Sequence, residues 1–67
     1  MFNEENIKRG DRLIVRIGDV TIACTVTKIT GTMFWAIWGD NNGKYTHTDC
    51  DYNMIICKET KLHKAMH

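Results

Sequence analysis

The sequence predicts an all-β fold, one small barrel of five short strands with a short basic C-terminal tail. Two observations lead there. In residues 11–17, Leu13, Val15 and Ile17 alternate with Arg12 and Arg16, with Ile14 between the two arginines, the period of a half-buried strand. Five glycines, at Gly10, Gly18, Gly31, Gly39 and Gly43, then divide a proline-free chain into short runs rich in Val, Ile and Thr. Sixty-seven residues leave room for one domain. A chain of this size buries only about 60% of its unfolded surface, so a second copy or a partner would help to stabilise it.

Residues 1–9 form a polar lead-in with room for one helical turn. The domain itself occupies residues 10–57, and residues 58–67 form the tail. In the first strand, residues 11–17, Leu13, Val15 and Ile17 share one face, and Arg12 and Arg16 share the other. Gly18-Asp19 makes a turn. The second strand, residues 20–30, sets Val20, Ile22, Cys24 and Val26 on one face. Ile29 falls out of phase with Val26, which predicts a bulge near Lys28.

The third strand, residues 33–38, is apolar on both faces. The Asn42-Gly43 pair in the following turn favours positive φ and a tight hairpin. Residues 44–49 read as a polar fourth strand, residues 50–53 as a short turn or 3₁₀ segment, and residues 54–57 as the fifth strand. The expected core is Leu13, Val15, Ile22, Val26 and Ile56, with Cys24 and Cys57 as further buried strand residues.

Several of these residues carry a family resemblance. Gly10-Asp11 precedes the first strand, Cys24-x-Val26-x-x-Ile29 lies in the second, Phe34-x-Ala36-x-Trp38-x-Asp40 spans the third, and Gly43 closes the hairpin. The pattern resembles the Tudor/KOW-type SH3-like barrels, at the level of the superfold, over residues 10–57. That resemblance implies an SH3-like barrel and leaves function open. The sequence departs from a methyl-lysine-reading cage, because Phe34, Trp35 and Trp38 sit on one strand and cannot converge on one pocket. The architecture is also similar to the plasmid-type dihydrofolate reductase, whose pore exists only in a tetramer. Met54-Ile55-Ile56-Cys57 stands where that enzyme has Val-Gln-Ile-Tyr. This implies a third reading, a site assembled only in a homo-oligomer.

Composition narrows the classes of function. The net charge is +1, far from the strong basicity common in nucleic-acid modules. No apolar run reaches the ~18 residues of a membrane span. The first residues lack the charged and apolar regions of a secretion signal, and an odd number of cysteines, three, favours free thiols. Together these predict a cytoplasmic protein without membrane contact.

The third strand is the leading candidate for function. Trp35 and Trp38 are an odd number of residues apart, so a regular strand points them to opposite faces. The outward patch is either Met33, Trp35 and Ile37 or Phe34 and Trp38, and contiguous apolar patches mark interfaces. The expected partner is therefore a protein, or a second copy in a homodimer. A lone small domain of this kind also resembles the regulators and inhibitors that phages and mobile elements direct at host proteins.

The rival reading is nucleic acid, bound through Lys8, Arg9, Arg12, Arg16, Lys58, Lys61 and Lys64. Stacking on an exposed ring would assist it, while Glu4, Glu5, Asp49 and Asp51 dilute the field. No cofactor is expected. His47, Cys50 and Cys57, with His63 or His67, supply metal-ligand atoms at spacings unlike those of structural zinc sites. Cys50 and His47 make the one local nucleophile–base pair, without a phosphate loop or paired carboxylates around it. The chain therefore reads as a binding module without catalytic activity.

Overall fold

The computed structural model describes residues 2–40 and 42–59. Five antiparallel strands form one sheet: β1 (Arg12–Ile17), β2 (Val20–Ile29), β3 (Phe34–Gly39), β4 (Tyr45–Cys50) and β5 (Ile55–Lys58). A 3₁₀ turn, Tyr52–Met54, joins β4 to β5. The strand order is β4-β3-β2-β1-β5, so β1 to β4 pair in sequence order and β5 returns beside β1. No β4–β5 ladder joins the two edge strands among the described residues, and the hydrogen-bonded sheet is open rather than a closed barrel.

Alternation builds the core on one face. Leu13, Val15, Cys24, Val26, Phe34, Ala36, Cys50 and Ile55 are buried there. Phe34 alone contributes roughly 1.5–3 kcal/mol by leaving water. The β2–β3 register shifts between Val26 and Lys28, the place where Ile29 slips phase in the sequence. This irregularity lets one long strand serve β1 with its first half and β3 with its second.

Two expected core positions are corrected at β5. Ile55 is buried, whereas Ile56 is 51% exposed. The β1–β5 register shifts between Ile14 and Val15, setting Val15 opposite Ile55. The bulge thus turns Ile55 inward. Cys57, placed in the core by the sequence, pairs with Ile14 on the outer face and is exposed. Cys50 takes the buried position instead.

The lead-in forms a turn rather than a helix. Asn6 Oδ1 accepts from the Asn3 amide at 2.8 Å, and Asn3 Oδ1 accepts from the Glu5 amide at 2.8 Å. The turn delivers Ile7 to the core, with Phe2 packed against it. The Gly10 amide donates to the Val26 carbonyl at 2.8 Å, and the Val26 amide donates to the Asp11 carbonyl at 2.9 Å. Reaching β1 from there requires φ +92° at Gly10, where a side chain would be strained.

At the far end of β1, Gly18 has φ +61° and Asp19 is not in the positive region. Positive φ at the first loop residue alone is the pattern of a type II′ hairpin turn. At the opposite end of the sheet, the Tyr52 hydroxyl lies within hydrogen-bond reach of the carbonyls of Thr30 and Met33. The Tyr52 ring also meets Phe34 at 5.5 Å between centroids. The 3₁₀ turn is thereby tied to the β2–β3 hairpin. Burial raises the Tyr52 phenol above its usual range, and Glu4 adds to the shift.

Candidate functional site

Phe34 and Ala36 are fully buried and Trp38 packs against the core, so alternation sends Trp35 and Ile37 to the outer face. This decides between the two patches left open by the sequence. Phe34 and Trp38 do not form the outward patch, because Ala36, opposite Val26, lets that face close onto the core. Met33 precedes β3 and belongs to the hairpin turn, where its amide donates to Thr30 Oγ1 at 3.1 Å.

Cross-strand pairing sets the neighbours of Trp35 and Ile37. Asp49 stands opposite Trp35, His47 opposite Ile37, and Tyr45 opposite Gly39. From the other side, Thr25 stands opposite Ile37 and Lys28 opposite Trp35. Both Trp35 and Ile37 are half-buried rather than fully open.

Their cover is local. The His47 ring meets the Trp35 ring edge-on, with centroids 5.7 Å apart and planes at 61°. The Thr27 hydroxyl donates to the Trp35 carbonyl at 3.3 Å and lies 2.6 Å from His47 Nε2. A hydroxyl has one proton, so with that proton on the carbonyl, His47 Nε2 is the donor in the second contact. Trp35 is thus held from two sides before any partner arrives, which lowers the ordering cost of binding. Tyr45 is 76% exposed, and its ring lies over Gly39, where an added Cβ would come within 3.1 Å of it.

Thr27 and His47 were not legible as a pair in the sequence. One lies beside a bulge and the other on a strand that reads as uniformly polar. The β3–β4 register would have signalled that His47 adjoins Ile37.

Among the described residues, the basic side chains do not form one continuous stripe. Arg12 and Arg16 share the outer side of β1, but Arg12 donates to Thr25 Oγ1 at 3.0 Å and lies 3.6 Å from Glu59. Arg16 Nε donates to the Gly18 carbonyl at 3.3 Å. Lys58 pairs with Asp11 at 3.5 Å and stands opposite Leu13, hence on the other side of the sheet from Arg12. Lys8 and Arg9 are exposed in the turn before β1. Lys61 and Lys64 lie outside the described residues, as do His63 and His67.

His47 and Cys50 project from opposite faces of β4, His47 outward and Cys50 into the core, so they do not meet as nucleophile and base. Burial pushes the Cys50 thiol up to about 11, and Cys24, Asp49 and Asp51 add to the shift. Burial also raises Cys24, against the opposing charge of Arg12. Neutral buried thiols are poor nucleophiles. Among the described residues, no cluster of three or more His, Cys, Asp or Glu side chains is arranged to hold a metal ion. No helix among them is long and apolar enough to cross a membrane. No protein-family model, curated protein or solved structure matches the chain.

Proposed function

We propose that this protein is a non-enzymatic binding module whose outer β3 face, centred on Trp35 and Ile37, contacts a partner protein. The observation that carries this reading is a pair of large apolar side chains, two residues apart, on the side of the sheet away from the core. The lead-in directs Phe2 and Ile7 to the core and so is not committed to covering that face. Trp is frequent among residues whose truncation costs most of the binding energy, above all when its surroundings are already ordered. Tyr45 and His47 extend the same face with groups that are apolar in body and polar at the tip. The nucleic-acid alternative has less support, since Lys58 faces the Asp11 carboxylate and lies on the other side of the sheet from Arg12.

The experiment compares the full chain with Trp35→Ala, Ile37→Glu and Arg16→Glu as bait, each checked for cooperative melting and treated with nuclease. The reading expects one captured protein that survives nuclease and Arg16→Glu and is lost with the two β3 variants. Capture lost on nuclease treatment, or retained by both folded β3 variants, overturns it. A second copy of the chain as the captured species identifies a homodimer through the same face.

A further inference from the structure

A second surface lies where β2 and β3 part. The β2–β3 ladder begins at Thr25↔Ile37 and does not continue to Ala23 and Gly39. The first half of β2 remains paired with β1 along its whole length. The Val26 amide and carbonyl face the β1 side, bonded to Asp11 and Gly10. Alternation then turns the backbone groups of Thr21 and Ala23 the other way, toward β3. Between them and the end of β3 is an open groove of about 570 Å³, lined by Arg12, Thr21, Ala23, Trp38, Gly39 and Asp40, with Val20 and Ile22 completing it.

We propose that this fork accepts an extended segment of a partner protein, which adds as a strand to the edge of β2 at Thr21 and Ala23, left without a ladder partner on that side among the described residues. Two features of the groove argue for an extended chain rather than a compact ligand. Its β2 wall presents a row of backbone donors and acceptors with strand spacing, which a peptide backbone matches. It also presents apolar surface beside that row, from half-buried Trp38 and Ile22 and from Val20, 57% exposed. Arg12 sets the charge. Its side chain is 40% exposed, and a guanidinium has five donors, more than Thr25 and Glu59 occupy. The favoured segment therefore alternates apolar residues with acidic ones, one carboxylate falling opposite Arg12. This surface is separate from the Trp35 face and stands or falls independently of it.

The test uses the full ¹⁵N-labelled chain and synthetic peptides of about eight residues in which Val alternates with Glu or, as control, with Lys. The proposal expects amide shift changes at Thr21, Ala23 and Gly39, and a preference of about tenfold or more for the Glu peptide that Arg12→Gln removes. N-methylation of alternate peptide amides, which strips donors from one edge of the peptide without altering the protein, abolishes binding in one of its two phases. Trp35→Ala leaves the peptide affinity unchanged. The proposal is overturned if neither peptide binds with a Kd below about 1 mM, if N-methylation in both phases has no effect, or if the shift changes map to Trp35, Ile37 and His47 alone.

Discussion

Thr27 and His47 meet across β3, with 2.6 Å between the Thr27 hydroxyl and His47 Nε2, although their strands are not neighbours in the sheet. The contact bridges β2 and β4 beside Trp35, whose carbonyl takes the Thr27 proton. Removing the hydroxyl with Thr27→Val should cost roughly 0.5–1.5 kcal/mol, the usual net worth of a hydrogen bond. Denaturant unfolding measures that loss. Intrinsic tryptophan emission should shift to the red as the His47 ring loosens from Trp35. A variant with native stability and emission would show that the bridge does not hold the ring.

The register shift at β5 gives a sharp contrast between adjacent residues. Ile55→Ala should cost about 2–5 kcal/mol, as for a buried Ile, while Ile56→Ala should stay within about 0.5 kcal/mol. Chemical denaturation of the two variants side by side checks this. Equal costs would mean that the β1–β5 register is not the one described.

Gly10 carries its φ of +92° at the point where the Val26 carbonyl accepts its amide. Nothing lies within 4 Å of an added Cβ, so any penalty in Gly10→Ala comes from the backbone alone. The expected loss is about 1–3 kcal/mol. A melting temperature unchanged from the native chain would contradict it.

The buried thiols predict an alkaline weakness. Cys50 is raised from its ordinary value of 9.0 to about 11, chiefly by burial. Above pH 9 the unfolded chain releases this proton and the folded chain does not, so unfolding becomes more favourable. Stability from this group is full below pH 9 and is lost as pH rises toward about 11. Denaturant midpoints across that range should fall for the native chain and fall less for Cys50→Ala. Identical slopes would place the sensitivity elsewhere, with the raised Tyr52 and Cys24 as the remaining groups.

Much of the fold was legible because its strands obey one local rule. Leu13 and Val15 alternate with Arg12 and Arg16, and Gly18 and Gly43 in the first and third hairpin turns have positive φ. The slip between Val26 and Ile29 in the sequence marks the irregularity seen in the β2–β3 ladder. The inner face of β3 was not legible, because Phe34, Trp35, Ile37 and Trp38 satisfy the pattern in either phase. It is the small volume of Ala36 against Val26 that orients the strand. The β1–β5 bulge leaves no local signature, which is why Ile56 and Cys57 looked like core residues. The Thr27–His47 bridge and the β2–β3 fork both depend on pairing between distant segments, information that periodicity within a strand does not contain.

The reading of this protein as a binding module rests on the outer β3 face, and one measurement tests it most directly. The affinity of the captured partner for the purified native chain is compared with its affinity for Trp35→Ala by calorimetry, after circular dichroism has shown the variant to be folded. The account predicts a loss of about 2 kcal/mol or more, some thirtyfold in Kd, because a pre-ordered indole at the centre of the contact is removed. A folded Trp35→Ala chain that binds the partner as tightly as the native one would contradict it.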